Sequence, residues 1–428
     1  MGSERNMDWR GLLFLLVLSG FCARGLFNPI YAVVAWIALI LGRGLWIIWV
    51  PFFYETIPGP LLVMIYCILL MIFHRRFPLQ YPVPILLLLI FIGWIFLSYG
   101  WNRNNLFSDQ YFVDLLRNFF VFVVVYSLSK DIKTTEYFIQ CIVTVLGILA
   151  IISYYNYGWE GYELAVPVYK NFDRNEFSSN MIMGIPLCYG IFVVSDKKWK
   201  NVACGILGVL FSMVIIISYS RGAFLSLLVL MGLLIILFNE NRKQLLIVTL
   251  IVAFGFGLRI SGDYWDRMKG ISNYEEDASS MGRVATYEAA KQMIFQHPVI
   301  GIGMGDFKRK FYEYCPEPYR QYGAPGKNVH SIYLQVLAET GIIGFILYSA
   351  TFLLVIRSAM HRLKDPELSQ ANRILIKSLL ASMGGYVTAL FFLPGAYSNY
   401  LFLLSGILLD ERRFPRFQRE IMRRGVDG

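Results

Sequence analysis

The sequence has little charge for its length. Only 16% of its 428 residues are Asp, Glu, Lys or Arg, whereas 57% are hydrophobic, and the mean hydropathy is +0.53. Soluble domains have about 25% charged and about 45–50% apolar residues. A soluble chain of this size would need more charge to cover its surface, so the composition excludes a soluble enzyme and a disordered chain. It predicts an all-α polytopic membrane protein, with lipid as the solvent for most side chains.

Residues that bind metals or form redox centres are also scarce. The chain has four scattered histidines and six cysteines with no Cys-x-x-Cys pair. This spacing is not that of a zinc site, and we find no nucleotide-binding motif, so we predict neither a metal nor another cofactor. The net charge of +10 lies in short loops and forms no basic stripe with interleaved aromatics. We therefore predict no nucleic-acid partner and attribute the charge to the cytoplasmic side of a membrane.

Twelve or thirteen apolar runs approach the roughly 20 residues that a membrane-spanning helix needs. They lie at 11–27, 29–50, 57–73, 83–100, 111–129, 137–155, 177–194, 202–219, 222–238, 245–260, 330–356, 374–393 and 398–410. We predict four regions: an N-terminal transmembrane bundle of nine or ten helices (1–260), an outer loop with short helices (261–329), C-terminal transmembrane helices (330–410) and a basic cytoplasmic tail (411–428).

Basic clusters at 74–76, 130–133, 197–200, 242–243 and 357–373 predict the cytoplasmic loops. Helix alternation then puts the long loop on the opposite face. The topology of the first two apolar segments has two solutions: either the N-terminus is outside or one of the segments does not span the membrane. Within the loop we predict a helix over 287–295, which ends before Pro298 and three nearby glycines. Pro316, Pro318 and Pro325 predict an irregular second half.

Charged residues occur at the outer ends of several spans. Arg221 separates two apolar runs with no room for a loop, so it either snorkels to lipid headgroups or binds an anionic group such as a phosphate. Asp114 and Arg117, three residues apart on one helix face, either form a self-contained pair or also line a cavity with Arg221. Arg283 in the long loop is either a solvated surface residue or a second cation of the same site.

His330 opens the next apolar run and so lies at a helix N-terminus. That position favours the neutral imidazole, which can act as a general base, although an interfacial histidine can also be an ordinary satisfied polar residue. Gln335 and Glu339 lie deeper and, with Gly341 and Gly344, predict a polar, closely packed inner face. Together, these residues indicate a site for a phosphate-bearing lipid whose chemistry uses no metal.

Three motifs resemble those of the O-antigen ligase and polymerase superfamily. They are Ser-Arg-Gly at 220–222, Ser-x-x-Gly-Arg at 279–283, and His-Ser-x-Tyr-Leu-Gln-x-x-x-Glu-x-Gly-x-x-Gly-x-x-Leu at 330–347. Within this superfamily, the segments 265–268 and 274–278 are similar to the exosortase-A-associated O-glycosylation ligase group. That group has an acidic-Asn-Asn run where this chain has Arg174-Asn175-Glu176.

The resemblance implies a GT-C-like glycosyltransferase of about twelve helices in the bacterial inner membrane, with its active site facing the periplasm. Such an enzyme passes a glycan from undecaprenyl pyrophosphate to a hydroxyl of a glycan, lipid or protein acceptor. By resemblance, Arg221 and Arg283 bind the pyrophosphate and His330 activates the acceptor. Candidate substrate-binding residues near these motifs are Arg117, Asn175, Tyr219, Asn328 and Gln335.

The motifs fit several activities. In-line attack opposite the lipid pyrophosphate predicts inversion at the anomeric carbon, and a ligase and a polymerase differ only in the acceptor. A transporter of lipid-linked glycans would also need membrane cations, but it predicts inverted repeats and charges near the midplane. We find no internal repeat, and the charges gather on one face. A non-catalytic scaffold would need neither His330 nor Arg221.

Overall fold

The computed structural model describes residues 9–43, 50, 59–77, 82–99, 106–157, 174–218, 220–243, 278–322, 328–397 and 400–409. Helices fill most of these residues, and no strand occurs among them. The predicted all-α class is thus confirmed for the described part of the chain. The predicted span at 245–260 and the basic tail at 411–428 lie outside it.

Fifteen α-helices are described. They are α1 Trp9–Gly25, α2 Pro29–Leu41, α3 Gly59–Phe73, α4 Val83–Tyr99, α5 Leu106–Leu128, α6 Ile132–Tyr157, α7 Arg174–Val194, α8 Lys198–Ile217, α9 Arg221–Leu237, α10 Ala278–Gln296, α11 Phe307–Tyr314, α12 Glu317–Arg320, α13 Ile332–Arg362, α14 Gln370–Ala389 and α15 Leu401–Leu408. Two short 3₁₀ turns occur at Asn239–Asn241 and Leu390–Phe392.

Six of the helices are long and apolar enough to cross a membrane. They correspond to α5, α6, α7, α8, α13 and α14. Four shorter apolar helices, α2, α3, α4 and α9, accompany them. Large apolar side chains face outward from the bundle, for example Ile206 and Ile236, which are 63% and 73% exposed. Such a surface is stable in lipid, so the chain is a multi-pass membrane protein, while the count of about twelve spans stays a prediction.

Helix α7 lies at the centre of the bundle, in contact with α6, α8, α9 and α14. Small residues allow the close approach. A Cβ at Gly184 would lie 2.6 Å from the Phe211 ring of α8, and one at Gly385 of α14 would lie 2.9 Å from Ile182 of α7. Close packing at small residues replaces the hydrophobic effect as a source of helix association in lipid.

The helices alternate in direction and so give the bundle two chemically different ends. Turns of only a few residues join α5 to α6, α7 to α8, and α8 to α9, which makes these neighbours antiparallel. At one end, called the Arg221 end, α5, α7, α9 and α13 begin. At the other, called the basic end, Lys200 pairs with Glu136 at 3.3 Å and Lys377 with Glu240 at 3.1 Å.

The first two helices form an antiparallel hairpin whose turn lies at the basic end. There, the His74 Nε2 atom, just past the end of α3, lies 2.9 Å from the Leu26 carbonyl oxygen in the turn. Asn28 caps α2 by accepting a hydrogen bond from the Ile30 amide at 3.2 Å. Helix α1 therefore begins at the Arg221 end, which favours the first of the two topologies that the sequence left open.

Residues 278–322 and 328–340 form a separate unit, called the cap below. Ala289, Met293, Phe307 and Phe311 build its own apolar core, to which Ala338 of α13 also belongs. The predicted helix over 287–295 is correct in place but begins earlier, at Ala278. The expectation of an irregular second half is wrong for the described residues, because α11 and α12 are helical. Pro316 is the N-cap residue before α12, and Pro318 lies in its first turn, where proline is tolerated.

Helix α13 is broken at Gly341, which has φ 65° and ψ −173°. The cap segment that follows α10 packs into the break. The Ile302 and Gly303 amides each donate to a carbonyl of α13, those of Ala338 and Glu339, at 3.0 Å, and the Ile342 amide donates to the Pro298 carbonyl at 2.8 Å. The first half of α13 therefore belongs to the cap, and the second half is the remainder of this candidate membrane span.

Candidate functional site

Arg221 is the first residue of α9, and its backbone is fixed by a buried polar cap. The Ser220 hydroxyl accepts a hydrogen bond from the Ala223 amide at 3.1 Å and donates one to the Asn175 side-chain oxygen at 2.6 Å. A serine N-cap of this kind stabilises a helix by roughly 1 kcal/mol. Asn175 thus ties the start of α7 to the start of α9 and lies at the base of Arg221.

The residue after Arg221 brings α9 against the end of α14. A Cβ at Gly222 would lie 2.7 Å from the Phe392 ring, so only glycine fits without displacement of that ring. Phe391 in turn packs on Tyr333 of α13, with ring centroids 4.3 Å apart. Arg221 is therefore held beside the first turn of α13, which follows His330.

One face of the cap helix α10 connects Arg221 with His330. The Arg221 guanidinium lies 3.4 Å from the Ser280 hydroxyl. Arg283 and Tyr287 follow on the same face, because residues three and four apart on a helix are neighbours. The Tyr287 hydroxyl donates to the His330 carbonyl at 3.0 Å and approaches the Phe391 carbonyl at 3.4 Å. Two turns of α10 thus carry Arg283 and contact both Arg221 and the backbone of His330.

Arg283 is half-buried in the middle of this face. Burial raises the pKa of Tyr287 and the Arg283 charge opposes that rise, so the guanidinium lies within electrostatic reach of the Tyr287 hydroxyl. Within the described residues, Arg283 has neither a side-chain hydrogen bond nor an ion pair. A half-buried cation with no internal partner is suited to an anionic ligand.

His330 directly precedes Ser331, the N-cap of α13, whose hydroxyl accepts from the Leu334 amide at 3.5 Å. The histidine therefore lies at the helix N-terminus, as predicted. One neighbour in sequence is tied into the protein. Asn328 donates from its amide nitrogen to the Tyr111 hydroxyl at 2.8 Å, which links the cap to α5.

Gln335 is fully buried one turn into α13. Its amide oxygen accepts hydrogen bonds from the Gly395 and Ala396 amides, both at 3.2 Å. It holds the turn between α14 and α15 against the cap. This geometry favours a positioning role for Gln335 over direct contact with a ligand.

Two further polar residues join the cap to the bundle, and the motifs did not single them out as site residues. Glu339 is fully buried and accepts a hydrogen bond from the Tyr397 hydroxyl at 2.7 Å. Lys308 of α11 lies over the Tyr111 ring, with 5.7 Å between its ammonium nitrogen and the ring centroid. Burial lowers the pKa of Lys308 and the Glu339 charge raises it, so the two side chains face the same junction.

Arg117 forms the predicted ion pair with Asp114, at 2.9 Å. The next residue, Asn118, donates to the Tyr397 carbonyl at 2.6 Å, so this turn of α5 borders the same α14–α15 connection that Gln335 holds. The pair thus lies at the Arg221 end, and its contact with a ligand stays a prediction. Tyr219 lies outside the described residues.

One family model matches the chain. Residues 206–349 match the O-antigen ligase family. The match spans Arg221, Arg283 and His330, and it confirms the predicted resemblance to that superfamily; the resemblance to the exosortase-associated group stays a prediction. No curated protein matches the chain.

Proposed function

With an O-antigen ligase domain over residues 206–349 as the premise, we propose that this protein is an inverting glycosyltransferase that moves a glycan from undecaprenyl pyrophosphate to an acceptor hydroxyl. One observation carries the proposal. A single face of α10 links Arg221 to the backbone of His330, and between them lies Arg283, which has no side-chain partner within the described part of the chain. The points at which α10 contacts Arg221 and the His330 carbonyl, Ser280 and Tyr287, are therefore seven residues or about 11 Å apart along the helix axis.

The two arginines stabilise the leaving group. When the bond from the anomeric carbon to the pyrophosphate oxygen breaks, its electron pair stays on that oxygen. Guanidiniums bind phosphate oxygens through two parallel hydrogen bonds and are permanently charged, so they can take the charge-neutralising role that a metal ion has elsewhere. We therefore propose metal-independent catalysis.

His330 takes the proton of the attacking acceptor hydroxyl. As the acceptor oxygen bonds to the anomeric carbon, the proton passes to the imidazole and later to solvent or to the released pyrophosphate, which leaves the histidine ready for another cycle. The Tyr287 hydroxyl, bound to the His330 carbonyl, fixes the backbone from which the imidazole acts.

The other candidate residues shape the site. Asn175 holds the Ser220 cap under Arg221, Arg117 and Tyr219 contribute to the donor side, and Asn328 and Gln335 hold the His330 segment and the α14–α15 turn. Each of these residues is proposed to support substrate binding. Asn175 and Gln335 do so indirectly, because they position Ser220 and the α14–α15 turn.

The charge pattern supports an orientation. Lys130, Lys197, Lys200 and Lys364 lie in or near the turns of the basic end, which by the positive-inside rule is cytoplasmic. The Arg221 end then faces the periplasm of a bacterial inner membrane, where a lipid-linked glycan donor would meet its acceptor. A polymerase differs only in using a second lipid-linked glycan as acceptor, so it remains the alternative activity.

A reconstituted transfer assay tests the proposal. Purified protein in lipid nanodiscs is mixed with a synthetic undecaprenyl-pyrophosphate glycan, lipid and glycan acceptors, and EDTA. We expect a product of inverted anomeric configuration by NMR, and its mass distribution identifies a ligase by a single transfer or a polymerase by a ladder. Activity that EDTA abolishes, or a retained configuration, would contradict the mechanism.

A further inference from the structure

The tip of the cap, residues 292–303, is apolar and exposed. Phe295 is 84% exposed, Val299 52% and Ile300 42%. The tip carries one ionisable side chain, His297, whose Nε2 atom lies 2.8 Å from the Tyr314 hydroxyl inside the cap. An exposed patch of large apolar side chains without charge is typical of a surface that contacts something other than water.

This tip is continuous with the lipid-facing surface of α13. The Ile342 amide donates to the Pro298 carbonyl at 2.8 Å. Ile342, Ile343 and Ile346, at the start of the membrane-crossing half of α13, are 43%, 37% and 57% exposed. The exposed apolar residues on either side of the break therefore form one surface.

The depth of Ile342 follows from helix geometry. At 1.5 Å per residue, Ile342 lies about 22 Å from Arg357 and about 30 Å from Arg362 along α13. The hydrocarbon layer is about 30 Å thick. With these basic residues at the opposite interface, Ile342 lies at the hydrocarbon boundary or inside it, and the tip lies at the same level.

We propose that the tip of the cap inserts into the outer-facing lipid leaflet at the Arg221 end and so anchors the cap to the bilayer surface. Phe295, Val299 and Ile300 enter the acyl region, as the apolar face of an interfacial helix does. Lys291, which directly precedes the tip and is exposed, lies at the level of the lipid phosphates. The anchor is a property of the surface and holds whether or not the chain transfers glycans.

Site-specific photo-crosslinking tests the anchor. Phe295 or Val299 is replaced singly by p-benzoylphenylalanine in the full chain, which is reconstituted in nanodiscs of phosphatidylethanolamine and phosphatidylglycerol. Ile346 serves as the lipid-facing reference. Glu317, exposed on α12 of the same cap, is the matched aqueous control.

We expect phospholipid adducts by mass spectrometry at 295 and 299, with yields near that at 346 and roughly tenfold above that at 317, because only an inserted side chain meets acyl chains continuously. Yields at 295 and 299 equal to that at 317 would overturn the proposal. Crosslinks between two copies of the chain in place of lipid adducts would also overturn it, since the patch would then be a protein interface.

Discussion

Arg283 differs from the other cations of the site because its guanidinium has no partner among the described residues. If it binds the pyrophosphate, its removal leaves developing charge uncompensated in the transition state. We expect Arg283→Ala to lower kcat about 10²–10³-fold, the usual effect of losing one such donor. Turnover of purified variants measures this.

Lys291→Ala is the matched control for Arg283→Ala. It removes another cation from the same helix, at an exposed position whose ion-pair partner is Glu288. We expect kcat to be unchanged. Equal losses in the two variants would mean that general charge of the cap, rather than Arg283, supports the reaction.

We propose that Tyr287 acts through the backbone of His330 rather than on the substrate. Its hydroxyl donates to the His330 carbonyl, and one such hydrogen bond is worth about 0.5–1.5 kcal/mol. We therefore expect Tyr287→Phe to lower kcat by up to about tenfold with KM for the donor unchanged. Tyr312→Phe, an exposed tyrosine of the same cap, is the control; a rise in KM alone for Tyr287→Phe would argue for direct donor binding.

At the residue scale, the sequence singles out candidate residues whose side chains are polar or charged at the end of an apolar run. Arg221 and His330 were evident because a cation and an imidazole stand at the ends of apolar runs. Tyr287 and Lys308 were missed. Their contacts are with partners far away in sequence; Tyr287 and His330, for example, are 43 positions apart. A tyrosine or lysine in a polar loop carries no local signal of such a contact.

The break in α13 depends on two glycines that pack closely against backbone, Gly301 against Glu339 and Gly341, and Gly341 against Val299 and Ile300. Gly301 has φ 72°, and a Cβ there would lie 2.5 Å from the Glu339 carbonyl. We expect Gly301→Ala to destabilise the cap by at least about 1–3 kcal/mol, the cost of a strained backbone conformation alone. Thermal unfolding in detergent micelles measures the loss.

Gly232→Ala is the control for Gly301→Ala. It lies in α9 with no heavy atom within 4 Å of the added Cβ. Alanine favours helix over glycine by about 1 kcal/mol, so we expect no loss of stability. A Gly301→Ala variant as stable as the wild type would contradict the packing at the break.

The elements themselves were only partly predictable. The apolar run at 330–356 predicts one continuous helix, because nothing local marks Gly341 as a break; the break is fixed by amides of the cap segment, such as that of Gly303. Likewise, α10 begins at Ala278 rather than at 287, since its first two turns are stabilised by contacts that include Arg221, not by a strong apolar period.

Across the whole molecule, the separation of the Arg221 end from the basic end defines which compartment the site meets. The native cysteines are buried or, for Cys22, half-buried, so introduced cysteines can report exposure. We expect Glu317→Cys to react with a membrane-impermeant maleimide in intact cells. Lys197→Cys, at the basic end, should react only after permeabilisation, as the positive-inside rule requires.

The opposite labelling pattern would put the Arg221 end in the cytoplasm and contradict the proposed orientation. The basic loops predict an alternation of helices from residue 74 onward, because short loops with Lys and Arg set topology. The first hairpin was not readable, because α1 and α2 are short and the contact of His74 with Leu26, which places their turn, joins residues 48 apart.

The central claim is a division of labour between Arg221 and His330, joined by one helix face. Its most direct test measures donor binding and single-turnover transfer in the same nanodisc preparations of Arg221→Ala and His330→Ala, with Lys291→Ala as control. The account predicts that Arg221→Ala loses both binding and transfer, whereas His330→Ala loses transfer and binds the lipid pyrophosphate almost as the wild type does. Equal loss of binding in both variants, or transfer that survives in His330→Ala, would contradict it.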